Sequence, residues 1–168
     1  MSASRTARWK TNLIWMLAIV LVYFGVRAWQ TRDLPQGPAP QLQGVLLDGR
    51  GFDLAQTRGA PMLVYFWASW CPICRVSDGA IDALSRDYPV VTIAMQSGSD
   101  AEVSKFLREE GLRFPVLNDP EGVLAREWRV RGVPAGFIID RNGDIRFVEM
   151  GFTSGWGWRA RLWLAGNL

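Results

Sequence analysis

The chain has 168 residues, a formal net charge of +3, two cysteines and no histidine. This length is enough for one domain with a proper hydrophobic core. Without histidine, the usual pairs of nucleophile and base and most zinc sites are excluded. The charge is modest and forms no basic stripe with interleaved aromatic residues, which argues against nucleic-acid binding.

An uncharged and largely apolar stretch covers residues 11–26, with basic residues on both sides. A helix over residues 9–29 would rise roughly 30 Å, which is about one hydrocarbon thickness. We therefore predict a transmembrane anchor over residues 11–29. The positive-inside rule places residues 1–10 in the cytoplasm and the rest of the chain on the other side of the membrane.

A cleaved signal peptide is the alternative interpretation of this segment. The basic N-terminal region fits it, but the apolar run is slightly long, and residues 26–29 offer no small-residue cleavage site. We expect an uncleaved single-pass anchor in a bacterial inner membrane. The remainder of the chain would then lie in the periplasm, where disulfides form.

Residues 30–41 contain three prolines and little apolar content, so we predict an extended, Pro-rich tether there. The folded domain is expected over residues 42–168. It should open with a short hairpin, in which residues 43–47 and 52–54 flank a glycine-rich turn.

Residues 62–67 are apolar at consecutive positions, which is typical of a central strand buried on both faces. After Cys71, apolar residues recur every three or four positions and predict a helix. Its packing face would carry Ile73, Val76, Ala80, Leu84 and Tyr88. Residues 90–95 form the next predicted strand, which completes a β-α-β unit with a right-handed crossover.

The next helix is marked at both ends, by a capping box that begins at Ser99 and by Gly111 as a left-handed stop. A shorter helix is predicted from Asp119 to Trp128, with Pro120 in its first turn.

Two further strands, residues 135–140 and 145–150, are predicted to form an antiparallel hairpin. Between them, Asn142-Gly143 favours a type I′ turn. Residues 155–164 are predicted to form a last helix, which covers one face of the sheet with Trp158, Leu162 and Trp163.

The order of these elements predicts an α/β fold with a mixed sheet and helices on both faces. Residues 66–75, 132–134 and 137–143 resemble the thioredoxin superfamily, and most closely its membrane-tethered TlpA-like and DsbE-like branch. The resemblance covers nearly the whole chain beyond Leu42. Within that branch, the anchor and the tryptophan-rich tail are most similar to the group called suppressor of copper sensitivity protein D.

Cys71 and Cys74 form a Cys-Pro-Ile-Cys motif and are the predicted catalytic residues and redox-active disulfide. A thiolate in the first turn of a helix is stabilised by unpaired N–H groups and the helix dipole, so Cys71 is the predicted nucleophile. Cys71 would form a mixed disulfide with a substrate, and the shielded Cys74 would resolve it. Pro72 stiffens the turn between them.

In the resembled family, the residue before a cis-proline lies against the cysteine pair and hydrogen-bonds an extended substrate segment. Val133 and Pro134 match that motif, and an ordinary trans bond at a strand entry is the alternative. Trp70, Pro72 and Ile73 are the further substrate-binding candidates, and Trp67 and Trp70 are expected to shape an apolar surface beside the motif.

The chain departs from the family pattern at two positions that affect proton transfer. Tyr65 stands where thioredoxin-like reductants often carry a buried acid, and tyrosine is a poor base at neutral pH. Ser77 stands where cytochrome-maturation relatives commonly carry a glutamate. We hypothesise that water, Asp78 or Glu149 takes the proton of Cys74.

The favoured function is a membrane-tethered thiol-disulfide oxidoreductase that acts on cysteine-containing periplasmic proteins, as a reductant. The family implies a membrane electron donor of the DsbD type. No cofactor, metal or nucleic-acid partner is predicted, and the absence of a dimerisation segment predicts a monomer.

Other functions remain open at this point. Within the enzyme class, the protein could be a cytochrome c maturation thioredoxin that reduces apocytochrome cysteines. It could instead be a carrier that binds Cu(I) through Cys71 and Cys74 as soft ligands. An inert structural disulfide or a zinc half-site is a weaker alternative.

Overall fold

The computed structural model describes residues 3–31 and 34–167, which divide into two compact units. The first unit holds helix α1 (Ala3–Thr31), so the helix expected over residues 11–29 is present and extends further at both ends. In the described part of the chain, no helix combines the length and the apolar character that membrane crossing requires.

The second unit begins at Leu34 and has an α/β fold. Its strands are β1 (Gly37–Pro38), β2 (Gln43–Val45), β3 (Gly51–Asp53), β4 (Met62–Trp67), β5 (Val90–Met95), β6 (Val116–Asp119), β7 (Ala135–Ile139) and β8 (Asp144–Met150). Its helices are α2 (Pro72–Leu84), α3 (Asp100–Glu110), α4 (Val123–Glu127) and α5 (Gly155–Gly166), with a 3₁₀ helix at Leu54–Thr57.

The described strands form one mixed sheet in the order β1-β8-β7-β4-β5-β6 and a separate hairpin of β2 and β3. Strand β4 lies inside the sheet, parallel to β5 and antiparallel to β7. The predicted central strand, the β-α-β unit and the first hairpin are therefore confirmed.

Alternate side chains of β4 face opposite sides of the sheet, as its consecutive apolar residues require. Leu63, Tyr65 and Trp67 pack in one buried cluster with side chains of α2, α3 and α5. Val64 and Phe66 pack in a second cluster, which includes Trp128 just after α4. The sheet thus has helices on both faces, and the cysteine motif lies at the end of its central strand.

The predicted tether over residues 30–41 differs from the structure at both ends. Residues 30 and 31 belong to α1, and β1 lies inside the range. Leu34 is buried in the core, eight residues before the predicted start of the domain at Leu42. Pro38 fits this strand because β1 is an edge strand, where the missing N–H costs no interior hydrogen bond.

The predicted start of the short helix, at Asp119, is wrong. Asp119 ends strand β6, and α4 begins four residues later, after Gly122 with φ 67°. The Asp119 carboxylate accepts the N–H groups of Leu124 and Ala125 at 3.2 and 2.9 Å. Asp119 therefore does cap the helix, but from the strand end rather than from the N-cap position.

The hairpin of β7 and β8 is confirmed, but its turn is not type I′. That turn requires positive φ at both central residues, and only Gly143 has it, with φ 91°. The buried Asp140 carboxylate accepts the N–H groups of Asn142 and Asp144 at 2.8 and 3.0 Å. The Asp140 side chain thus holds the loop in a conformation in which Asn142 does not need a positive φ.

The capped helix is confirmed as α3, with a complete capping box at Ser99 and Gly111 at φ 68°. The last helix is confirmed as α5. Trp158 and Leu162 of α5 are buried as predicted, whereas Trp163 is exposed and does not cover the sheet.

Candidate active site

Cys71 is the N-cap residue of α2, directly after the turn that follows β4. Its backbone is extended, with φ −90° and ψ 111°, and Pro72 occupies the first turn with the fixed φ that a helix start favours. The Sγ of Cys71 accepts the backbone N–H of Cys74 at 3.2 Å. The motif thus places one sulfur at the unpaired N–H groups of the helix, as predicted.

The two cysteines, both free thiols, have different surroundings. Both belong to the same buried cluster, but Cys71 is 4% exposed, whereas Cys74 is fully buried one turn further along α2. Burial raises the pKa of the Cys74 thiol well above its usual value, and its hydrogen bond with Cys71 raises that pKa further.

The Val133–Pro134 peptide bond is cis, so the trans alternative is excluded. The carbonyl oxygen of Val133 lies 3.7 Å from Cys71 Sγ. The structure therefore brings this loop, 62 residues away in sequence, against the cysteine motif.

Apolar side chains surround Cys71 on the surface. Trp70 is 57% exposed and Ile73 is 50% exposed, and Pro72 between them is exposed as well. Trp67 is fully buried, which corrects its predicted place on the same surface. Its indole N–H donates to Thr92 Oγ1 at 3.1 Å inside the core.

The turn before Cys71 is held by two residues that sequence reasoning missed. Ser97 Oγ accepts the N–H of Ser69 at 3.0 Å, and the carbonyl of Gln96 accepts the indole N–H of Trp70 at 3.0 Å. Gln96 has φ 48°, a left-handed conformation that non-glycine residues rarely adopt. Neither serine nor glutamine carries a local signal for such a role, so the sequence offered no way to find them.

The predicted packing face of α2 is partly wrong. Ile73 and Val76 are exposed, and the helix instead buries the polar residues Ser77 and Asp78 beside Cys74. Because Cys74 must face β4, the helix is rotated about its axis so that residues three and four positions later also face the sheet. The apolar pattern could not reveal this rotation.

Asp78 is 3% exposed, and burial raises the pKa of its carboxyl from 3.8 to about 7. The negative charge of Glu110 raises that pKa further, and the positive charge of Arg75 lowers it. Within the described residues, Asp78 Oδ1 has no hydrogen-bond partner.

Tyr65, which was expected to be a poor base, and Glu149, the other predicted acceptor, are placed less favourably for proton transfer. Tyr65 is buried beside the cysteines, and burial raises the pKa of its phenol, with the charges of Cys74 and Asp78 adding to the rise. Glu149 forms an ion pair with Arg161 at 2.6 Å. Among the side chains that the structure describes, no cluster of three His, Cys, Asp or Glu has the arrangement of a metal site.

Comparison with known proteins gives consistent matches. A family model described as Redoxin matches residues 34–155. A thioredoxin-like protein of Haemophilus influenzae is 36% identical over 121 residues, which cover 71% of this chain and 72% of that protein. A thiol:disulfide interchange protein DsbE homolog of Paracoccus denitrificans is 32% identical over 151 residues, which cover 83% and 84% of the two chains.

Solved structures match the same part of the chain. The crystal structure of a thioredoxin family thiol:disulfide interchange protein from Chlorobium tepidum superposes with a TM-score of 0.68 at 26% identity. The match covers 79% of this chain and 98% of that one.

Proposed function

The chain belongs to the Redoxin family and is a thioredoxin-like thiol-disulfide oxidoreductase, and we propose that Cys71 and Cys74 carry its redox reaction. In this proposal Cys71 is the nucleophile and Cys74 is the resolving cysteine. The observation that carries the assignment is the position of the two thiols on α2. Cys71 is the N-cap residue and keeps 4% exposure, whereas Cys74 lies one turn further along and has none.

The proposed reaction has two steps. Cys71 thiolate attacks a substrate disulfide, forms a mixed disulfide and releases one substrate sulfur as a thiolate. Cys74 then attacks the Cys71 sulfur, which forms the Cys71–Cys74 disulfide and releases the second substrate sulfur. Cys71 Sγ lies at the start of α2, where it accepts the N–H of Cys74 at 3.2 Å.

We propose that substrates bind across the apolar surface around Cys71. This surface consists of Trp70, Pro72 and Ile73 on one side and Val133 and Pro134 on the other. The exposed apolar side chains suit the apolar parts of an extended polypeptide. The backbone of Val133, close to Cys71 Sγ, is positioned to hydrogen-bond the same segment.

Two serine variants test the assignment of the cysteines. With reduced protein and insulin as substrate, Cys71→Ser should abolish disulfide reduction, because the remaining thiol, Cys74, has no exposed surface. Cys74→Ser should instead accumulate a mixed disulfide between Cys71 and an insulin chain, visible on a non-reducing gel. Trapping of insulin by Cys71→Ser rather than by Cys74→Ser would overturn the assignment.

We propose that the protein works as a reductant. The test is the reduction potential of the full chain in glutathione or dithiothreitol buffers. A value near that of thioredoxin, roughly −270 mV, supports a reductant, whereas a value approaching roughly −120 mV identifies an oxidant and contradicts the proposal.

The site of action is proposed from the sequence and the chemistry. A redox-active cysteine pair acting on exported proteins belongs in the periplasm, with electrons supplied by a membrane donor of the DsbD type. The chain would act as a monomer. Size-exclusion chromatography with light scattering tests the monomer, and oxidation of the cysteine pair in cells that lack the donor tests the electron supply.

The membrane anchor over residues 11–29 stays a prediction. Its support is the uncharged stretch in the sequence and the exposed apolar side chains of α1, such as Ile14, Trp15 and Leu21. Carbonate extraction of cell membranes tests it. Release of the protein with the soluble fraction would contradict an anchor.

The narrower alternatives also stay predictions. Reduction of an apocytochrome c peptide, compared with an unrelated disulfide peptide of equal length, tests a role in cytochrome maturation. Tight, stoichiometric Cu(I) binding without insulin reduction would support a copper carrier instead. The resemblance to copper-sensitivity proteins has no further support in the relatives named above.

A further inference from the structure

Asp78 is a buried acid in direct proximity to the cysteine pair. It follows Cys74 by four residues on α2, and side chains at that spacing lie on one face of a helix with Cβ atoms about 5–6 Å apart. Both residues are buried, and the negative charge of Asp78 contributes to the raised pKa of Cys74. Asp78 Oδ1 is free to accept a hydrogen, since no described group bonds to it.

The second step of the proposed reaction requires such an acceptor. Cys74 attacks as a thiolate, but burial holds it in the protonated form at neutral pH. Its proton must therefore move to another group as the new S–S bond forms. A buried thiol has restricted access to bulk water, so the acceptor must lie nearby.

Other titratable groups near Cys74 fit this role poorly. Tyr65 faces the pair from β4, but a phenol whose pKa is raised further by burial is protonated at neutral pH. Glu149, on β8, is held in its ion pair with Arg161. Arg75 is a cation and has no lone pair to offer.

We propose that the Asp78 carboxylate accepts the proton of Cys74 as Cys74 attacks the mixed disulfide, an inference that rests on the function proposed above. The Cys74 sulfur forms a bond to the Cys71 sulfur, and the bond between Cys71 and the substrate sulfur breaks. The electron pair leaves with the substrate thiolate. The proton moves from Cys74 to Asp78 and returns to solvent when the next cycle begins.

The charges that face Asp78 suit this task. Burial raises the pKa of Asp78 to about 7, near the pH at which a general base is most effective. Glu110 at the end of α3 raises this pKa further, and Arg75 on α2 lowers it. At neutral pH a substantial fraction of Asp78 is therefore ionised and ready to accept a proton. Asp78 on α2 would thus do what a buried acid on β4 would do, at the place where this chain has Tyr65.

The test separates the two steps with an aromatic disulfide that releases a coloured thiol. Reduced full-length protein is mixed with dithiobis(nitrobenzoate) in a stopped-flow instrument. The first release reports attack by Cys71, and the second reports resolution by Cys74. Both rates are measured between about pH 5 and 9 for the natural protein, Asp78→Asn and Glu149→Gln.

We expect Asp78→Asn to slow the second release by about 100-fold at pH 7.5, in line with the usual contribution of a general base. The rise of that rate near pH 7 should disappear, and the first release should stay within about twofold. Glu149→Gln should match the natural protein in both releases. Asp78→Glu, which keeps a carboxylate, should recover part of the second rate.

The stopped-flow results distinguish a failure of the Asp78 proposal from a failure of the proposed function. An unchanged second rate and pH profile in Asp78→Asn would overturn the role of Asp78 and leave the proposed function intact. A natural protein that shows no first release would overturn the proposed function itself. If Asp78→Asn slows both releases equally, the effect is structural and the inference is wrong.

Discussion

Replacing Asp78 by asparagine should stabilise the folded protein at neutral and alkaline pH. The pKa of Asp78 is 3.8 in the unfolded chain and about 7 in the folded one. Below about pH 4 the carboxyl is neutral in both states and imposes no penalty. As the pH rises from 4 to 7, the unfolded chain gains a solvated charge that the folded protein resists, so stability falls through this window.

The difference between the two pKa values corresponds to roughly 4 kcal/mol, at about 1.4 kcal/mol for each pH unit. Asparagine has nearly the same shape and carries no charge, so it removes this penalty. We expect Asp78→Asn to exceed the natural protein in free energy of unfolding by about 2–4 kcal/mol at pH 8. At pH 4 the two should be nearly equal.

The assay is urea unfolding of the reduced protein, followed by tryptophan fluorescence at several pH values and extrapolated linearly to water. Asp82→Asn serves as a control on the same helix. Asp82 is also buried, but it pairs with Arg86 at 2.5 Å and accepts the N–H of Arg113 at 2.6 Å. Its replacement should therefore destabilise the protein.

A constant difference between Asp78→Asn and the natural protein across this pH range would refute the reasoning. So would a variant that is less stable than the natural protein at pH 8. Either result would mean that the buried carboxylate is solvated or paired in solution in a way that its surroundings do not indicate.

Three further changes have expected outcomes. Gly136→Ala should lower the free energy of unfolding by about 1–3 kcal/mol, because its Cβ would lie 2.3 Å from the Trp158 ring. Asp140→Asn should cost about 1–3 kcal/mol at pH 7. Burial opposes ionisation there, but hydrogen bonds from backbone N–H groups and an arginine still lower the pKa of Asp140, so the deficit should shrink below about pH 4. Trp70→Ala should raise the KM for insulin several-fold without slowing Cys71 towards a small aromatic disulfide.

Each of the glycine and tryptophan changes has a control variant with the same type of substitution at another position. Gly79→Ala has free space around its new methyl group inside α2 and should stabilise the protein by about 0.5–1 kcal/mol. Trp163→Ala removes an exposed tryptophan of α5 and should leave KM unchanged. Equal effects of the two glycine changes on stability, or of the two tryptophan changes on KM, would contradict the predictions, as would an Asp140→Asn deficit that grows at low pH.

Strands and caps could be predicted where a local pattern determines them. Buried strands β4 and β5 were visible as apolar runs, and α3 was visible from its capping box because a cap depends on residues three positions apart. The cysteine motif and the Val133-Pro134 loop could be recognised by their resemblance to a family, and the structure places them together.

Features that depend on tertiary contacts could not be predicted in this way. The sequence pattern placed Ile73 and Val76 on the buried face of α2. Because Cys74 faces the sheet, Ser77 and Asp78 are buried with it instead. The sequence predicts that a helix starts at Asp119, yet pairing with β5 keeps this residue in a strand. Both errors arose because local spacing carries no information about which neighbour a side chain will meet.

The two-residue strand β1 has a practical consequence for anyone who expresses this domain. Gly37 and Pro38 pair with Ile145 and Asp144 and cover the outer edge of β8. A fragment that begins at Leu42, where the sequence alone places the domain boundary, would leave the backbone groups of β8 open to another chain. Such a fragment would be prone to aggregation, whereas one that begins before Leu34 keeps the edge protected by a proline-containing strand.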